Sequence, residues 1–217
     1  MIWTNSNKIS NVERCVKLIL IITFLLSSVL KSVNIKSFAL ETGLYVSAYM
    51  EAWMFDWVLV AAVGVCFAEM FVALLAVKRE YSRVASLCFS LILSFFVYLT
   101  GVNLFFPTIM GSVESCGCFG ELIHLSPTAS FVKSIVLWML SIVFLVSSLK
   151  CEHSWSLCEM FRDGYFYTCI VYSLLLPLYS LYFFDRLSHT VYIFVYVLLC
   201  LVLMVHWFLR CRKCSDL

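Results

Sequence analysis

Charged side chains are scarce in this sequence, at 13% of 217 residues, whereas 63% of the residues are hydrophobic. A water-soluble domain usually carries roughly 25% charged residues, so the composition excludes a fold with a polar surface on all sides. Proline and glycine are also few, with 3 and 7 copies, which leaves little room for flexible linkers. The sequence contains no glycine-rich phosphate-binding loop, and its net charge of +2 gives no indication of a nucleic-acid partner.

Long apolar runs are what the sequence has in abundance. A helix needs roughly 20 mainly apolar residues to cross a bilayer, and unpaired backbone groups are too costly in lipid for irregular structure. The first run has no small-x-small cleavage site and is followed by lysine, so we interpret it as a retained helix and not as a signal peptide. The runs predict an all-α polytopic membrane bundle with six spanning helices, at 15–33, 57–77, 84–106, 131–149, 165–184 and 190–209.

The distribution of lysine and arginine predicts the orientation of the bundle. With the N-terminus inside, 11 of the 15 basic residues fall on the inner side. The other four fall on the outer side, at Lys31, Lys36, Lys133 and Arg186. The positive-inside rule therefore predicts that both termini are cytoplasmic and that the loop between the third and fourth spans faces outward.

That outward loop carries Cys116, Gly117 and Cys118. Cysteines two positions apart form a disulfide only if the backbone bends, because their Cα atoms must lie within roughly 7 Å, and Gly117 permits the bend. The resulting ring is small and strained, which makes the bond more oxidising than a structural disulfide. The pair is therefore suited to thiol–disulfide exchange. Packing or metal-binding cysteines stay open as an alternative, since the chain has 11 cysteines. Downstream, Ser126-Pro127 predicts the N-cap and first residue of the next helix.

Two of the charged residues within the predicted spans, Glu69 and Lys31, are candidate functional residues. Glu69 lies in the middle of the second span, where a charge costs roughly 3 kcal/mol or more, so it is a candidate proton carrier or partner for a cation. Lys31 lies at the end of the first span, where we expect it to snorkel to the interface. A direct pair between Lys31 and Glu69 is the disfavoured alternative, because their expected depths in the membrane differ.

A second group of cysteines lies on the predicted inner face, at Cys151, Cys158, Cys211 and Cys214. A CxxC sequence with two further thiols is compatible with a zinc site, and juxtamembrane thiols are compatible with acylation. Reduced, inert thiols are the favoured interpretation because the spacing of the first two is loose. We therefore predict no metal centre here.

The segment Cys116-Gly-Cys-Phe-Gly120 resembles the signature of the MauE/DoxX-like redox-associated membrane proteins, which are named for methylamine utilisation. The resemblance extends to Ser27-Ser-Val-Leu-Lys31 followed by Phe38, and to Glu69 in the second span. It implies a four-helix core at 15–149. The remaining parts would be a cytoplasmic tail at 1–14 and two additional spans with a short cytoplasmic tail at 150–217.

The resemblance also implies a function, which is assistance in forming disulfides or maturing exported proteins at the bacterial inner membrane. The expected partner is an exported thioredoxin-like or disulfide-containing protein. Because no second outer cysteine pair is present, electrons would have to leave through a quinone or a partner. A thiol–disulfide oxidoreductase thus competes with a non-enzymatic assembly factor whose disulfide shapes the loop. A small-solute transporter ranks last, since it predicts broken helices and paired polar residues at mid-membrane.

Overall fold

The computed structural model describes residues 3–49, 57–106, 126–149 and 163–183. In these ranges the chain is helical with no strand, which confirms the predicted all-α bundle. The helices are α1 (Trp3–Val33), α2 (Ile35–Tyr49), α3 (Val58–Val77), α4 (Ser82–Phe105), α5 (Pro127–Leu149) and α6 (Gly164–Phe183), with a 3-10 turn (Arg79–Tyr81) before α4.

Four stretches of the described helices are long and apolar enough to cross a membrane. They are Asn11–Val33, Val58–Val77, Arg79–Phe105 and Pro127–Leu149. These stretches match the first four predicted spans, and many large apolar side chains on them point outward, as contact with lipid requires. The chain is therefore a multi-pass membrane protein. Helix α6 coincides with the fifth predicted span, and the sixth, at 190–209, lies outside the described residues.

Helix α2 is an element that the sequence analysis missed. It follows α1 after Asn34 alone, whose carbonyl accepts a hydrogen bond from the Phe38 N–H at 3.0 Å. With 15 residues it is shorter than a membrane span, and it carries two charged side chains, so a search for long apolar runs passes over it. Its buried side chains Ile35 and Phe38 belong to the same apolar cluster as Val58 and Ala62, so α2 covers the first half of α3.

Helices α1 and α3 run antiparallel. The Lys17 ammonium donates to Ser82 Oγ at 2.9 Å just beyond the end of α3, whereas Ser28 Oγ donates to the Cys66 carbonyl at 2.8 Å, nearer to its start. Of these two contacts, the one made by the later residue of α1 thus involves the earlier residue of its partner, as expected for antiparallel helices. The same two helices supply most of the apolar core, which continues onto α4, α5 and α6.

Serine side chains line the contact between α4 and α5. The hydroxyl oxygens of Ser86 and Ser148 lie 2.7 Å apart, and Trp138 Nε1 donates to Ser94 Oγ at 2.9 Å. Lipid is as apolar as the helices themselves, so helix association depends on close packing and hydrogen bonds. Small serine side chains allow both, because they let the two backbones approach closely.

Helix α6 is attached to α3 at the end where α3 finishes. Tyr165 donates its hydroxyl hydrogen to the Leu74 carbonyl at 2.6 Å, and the rings of Phe71 and Phe166 meet edge to face at 5.5 Å. Asp163, just before α6, anchors the same end.

Asp163 accepts hydrogen bonds from Lys78, with which it forms an ion pair, and from the Tyr81 hydroxyl at 2.6 Å. Partial burial would by itself raise the pKa of Asp163. The donors Lys78, Tyr81 and the Tyr165 backbone N–H outweigh that effect and hold the pKa below its ordinary value. The carboxylate is therefore charged at neutral pH and links α3, the turn and α6.

Candidate functional site

The predicted redox residues Cys116, Gly117 and Cys118 lie outside the residues that the structure describes, as do Cys151, Cys158, Cys211 and Cys214. Within the described ranges the free cysteines are Cys15, Cys66, Cys88 and Cys169. The same ranges contain no group of three His, Cys, Asp or Glu side chains that could hold a metal ion.

The structure describes the residues on both sides of the cysteine-bearing segment 107–125. The Ala129 N–H donates to Ser126 Oγ at 3.3 Å, so the predicted N-cap of α5 is present. Close by, Phe105 at the end of α4 packs edge to face against Phe131 of α5, with ring centroids 5.5 Å apart. Gly101 makes this approach possible, because a Cβ there would lie 3.3 Å from the Phe131 ring. Helix α4 therefore ends, and helix α5 begins, at the same end of the bundle.

Lys31 and Glu69 form an ion pair inside the bundle. Lys31 Nζ lies 2.5 Å from Glu69 Oε1, and each side chain is only 2% exposed. The expectation that Lys31 snorkels to the interface is therefore wrong. Side chains on a helix tilt toward its N-terminus, so on the antiparallel helices α1 and α3 the two side chains lean toward each other. The long lysine side chain spans the depth difference that argued against the pair.

Two aromatic rings also lie close to the Lys31 ammonium. Nζ lies 5.1 Å from the ring centre of Phe38 on α2 and 5.0 Å from that of Phe96 on α4. An aromatic face attracts a cation through its quadrupole, most strongly where water is excluded. Four helices, α1 to α4, thus converge on a single ammonium group. Phe96 is one of 19 phenylalanines, and no sequence signal distinguishes it from the others.

The Lys31–Glu69 pair lies where two segments remote in sequence meet, one on α1 and one on α3. Ser28 donates to the Cys66 carbonyl one turn away from the Lys31–Glu69 pair. The small side chain of Ser28 is fully buried, so α1 lies close to the α3 backbone at this point. The segment Ser27–Lys31 and the segment Cys66–Glu69, which are remote in sequence, therefore form one structural unit.

A small cavity lies beside Glu69, between α1, α3, α4 and α5. Its walls are formed by Thr23, Phe24, Ser27, Lys31, Glu69, Leu93, Phe96, Lys133, Ser134 and Leu137. Glu69 Oε2 is buried and has no hydrogen-bond partner among the described residues, although Oε1 is paired with Lys31. Lys133 brings a second cation to the cavity from α5. Sequence reasoning used Lys133 only as an outer charge and missed this placement.

One family of known proteins matches most of the chain. The family model for methylamine utilisation protein MauE matches residues 8–147, which is more than half of the chain. The matched range contains Lys31, Glu69 and the Cys116–Cys118 motif, and it ends before α6. No curated protein and no solved structure matches the chain.

Proposed function

The chain belongs to the MauE family of membrane proteins, and we propose that it is a thiol–disulfide component of the membrane. In this proposal Cys116 and Cys118 cycle between a dithiol and a disulfide. The family takes its name from methylamine utilisation, so membership implies a membrane role associated with that process. The thiol–disulfide chemistry of Cys116 and Cys118 is what we propose beyond that role.

The observation that supports the proposal most strongly is the contact between the two helices that flank the cysteine-bearing segment. Its flanking helices α4 and α5 are clamped together at that end by Phe105 and Phe131. The motif itself falls inside the range that matches the family. A cysteine pair separated by one glycine gains little as a staple, because the loop it closes is too short to restrict the unfolded chain. Exchange is the chemistry that suits such a pair.

The proposed cycle has two steps. A thiolate of an exported thioredoxin-like or other dithiol protein attacks the Cys116–Cys118 disulfide and forms a mixed disulfide. The partner's second thiolate then displaces the bound cysteine, so that the partner is oxidised and Cys116 and Cys118 are left as a dithiol. For the disulfide to form again, the dithiol would have to pass two electrons and two protons to a quinone, which would become a quinol, or to a partner disulfide, which would become a dithiol.

Lys31 and Glu69 act as positioning residues in this proposal. They bind α1 to α3 and, through Phe96, bring α4 into the same contact. Because α4 carries one end of the cysteine-bearing segment, the pair supports the platform from which Cys116 and Cys118 would act.

Trapping the mixed disulfide tests the proposal. Cells that express Cys116→Ser or Cys118→Ser are quenched with an alkylating agent, and their membranes are analysed on non-reducing gels. One of the two variants is expected to accumulate a reductant-sensitive adduct with an exported protein, because the resolving thiol is missing. Wild type, the double variant and the control Cys15→Ser are expected to show no accumulation. Absence of any adduct in both single variants contradicts exchange and favours a non-enzymatic assembly factor.

A further inference from the structure

We propose that the end of the bundle opposite the cysteine-bearing segment binds the phosphate headgroup of an anionic phospholipid. The binding surface is a basic patch formed by Arg14 and Lys17 of α1, Arg79 of the 3-10 turn and Arg83 of α4. Helix α4 begins at this end of the bundle and finishes next to the cysteine-bearing segment at the other end. The inference is therefore independent of the cysteine chemistry.

A hydrogen bond between α1 and α4 brings the members of the basic patch together. Lys17 Nζ donates to the Oγ of Ser82, the first residue of α4, at 2.9 Å. Arg14 precedes Lys17 by three residues of helix, Arg79 precedes Ser82 by the three residues of the 3-10 turn, and Arg83 follows Ser82 directly. At the rise of these helices, each arginine backbone lies within roughly 6 Å, along its own helix, of Lys17 or Ser82.

The basic patch lies at the boundary between the lipid-facing surface of the bundle and water. Directly after Lys17, the exposed side chains of α1 are Leu18 and Ile19, and the first exposed side chain of α4 after Arg83 is Leu87. Apolar side chains that face lipid thus begin where the cations end. The headgroups of a bilayer lie at this boundary, so the four cations are at the level of the lipid phosphates.

The acidic residues near the basic patch do not balance its positive charge. The same parts of α1 and of the 3-10 turn carry Glu13 and Glu80, and the first turn of α4 has no acidic residue. The neighbouring pair of Lys78 and Asp163 adds one charge of each sign. Two carboxylates therefore accompany four cations, and a bound anion offsets the remaining positive charge.

The side chains of the basic patch suit a phosphate group. Arg14 and Arg79 are exposed, whereas Lys17 and Arg83 are half-buried against the helices. A guanidinium group can bind two phosphate oxygens through parallel hydrogen bonds, and a lysine ammonium attracts phosphate as a compact charge. Basic sites between spanning helices are a recurrent way of binding anionic lipid headgroups.

The surroundings of the basic patch favour a lipid over a free phosphate ion. A phospholipid whose phosphate lies at the patch keeps its acyl chains in the bilayer, beside lipid-facing side chains such as Leu18 and Leu87. A free phosphate ion would be held by charge alone, and salt screens that attraction at a surface open to water. The occupant that fits both the charge and the depth of the patch is an anionic phospholipid.

Lipid binding to the purified full chain tests the proposal. The protein in nonionic detergent is titrated with phosphatidylglycerol or with phosphatidylcholine, and the bound lipid is measured by native mass spectrometry. Wild type is expected to bind phosphatidylglycerol severalfold more tightly than phosphatidylcholine. Arg14→Gln and Arg79→Gln, at exposed positions, should each weaken phosphatidylglycerol binding by roughly fivefold and leave phosphatidylcholine binding unchanged. The matched control Lys36→Gln, at an exposed lysine of α2, should change neither.

A competition experiment separates the lipid from a free phosphate. Inorganic phosphate at low millimolar concentration is expected not to displace phosphatidylglycerol, and displacement would overturn the assignment of a lipid partner. Equal affinity of wild type for the two lipids also overturns the proposal, as does a loss in Lys36→Gln as large as in the arginine variants. The unfolding midpoint of each variant without added lipid shows that a loss of binding is not a loss of fold.

Discussion

Lys31 Nζ and Glu69 Oε1 lie 2.5 Å apart, and both side chains are 98% removed from the surroundings of the bundle. The two residues are 38 positions apart in the chain and lie on different helices. A charge alone in the membrane interior is costly, but two opposite charges in contact satisfy one another. The contact therefore makes the α1–α3 interface a fixed feature of the fold.

Removing one member of this pair should strongly destabilise the protein. Lys31→Met leaves the Glu69 carboxylate buried without its cation, and the expected loss is about 3–5 kcal/mol of unfolding free energy. The measurement is the thermal unfolding midpoint of the purified protein in detergent. Lys36→Met, the same change at an exposed position, should change stability by less than about 0.5 kcal/mol.

Removing both charges should recover much of the unfolding free energy that Lys31→Met loses. The double variant Lys31→Met, Glu69→Leu buries no unpaired charge, and replacing a buried ion pair by apolar side chains is often neutral. Its unfolding midpoint should therefore lie well above that of Lys31→Met alone. A double variant no more stable than the single one would show that the two residues are not energetically coupled.

The serine contact between α4 and α5 should be sensitive to side-chain size. Ser148 is 2% exposed and its hydroxyl lies 2.7 Å from that of Ser86, so Ser148→Leu forces the helices apart. Overpacking of this kind typically costs about 1–3 kcal/mol. The matched control is Ser147→Leu, the same change on the more open side of α5, where a much smaller loss is expected. Equal losses at both positions would mean that the serine contact has no special role.

The contribution of Asp163 to stability should depend on pH in one direction. Its pKa is held below the ordinary value of 3.8 by Lys78, Tyr81 and the Tyr165 N–H, despite partial burial. The folded pKa therefore lies below the unfolded one, and the stabilisation is fully present above about pH 4 and fades as the pH falls through the folded pKa. Asp163→Asn should accordingly lower the unfolding midpoint at pH 7, and the difference from wild type should shrink at pH 3. A difference that stays constant across this range would contradict the ion-pair explanation.

The sequence was sufficient to predict the long spans, because length and apolar content are the two properties that a bilayer demands. It did not predict α2, whose 15 residues are too few to span and whose helical structure depends on packing against α3. Tertiary contact, not local pattern, is what identifies such a helix.

The site shows a similar division. Glu69 stands out in the sequence because a charge within an apolar run requires an explanation. Its partner could not be identified by comparing depths along the chain, since the tilt of side chains on antiparallel helices brings Lys31 and Glu69 together. Phe96 and Lys133 were missed for another reason, which is that their roles arise only where four helices meet.

The proposed function requires Cys116 and Cys118 to form an outward-facing disulfide that exchanges with thiols. Its most direct test is labelling of intact cells with a membrane-impermeant maleimide, before and after mild reductant, with Cys116→Ser and Cys118→Ser as controls. We expect the wild-type pair to be unlabelled at first and to become labelled after mild reduction. A bond that resists all but denaturing reduction would contradict exchange, and no labelling even in fully reduced cells would contradict the outward placement.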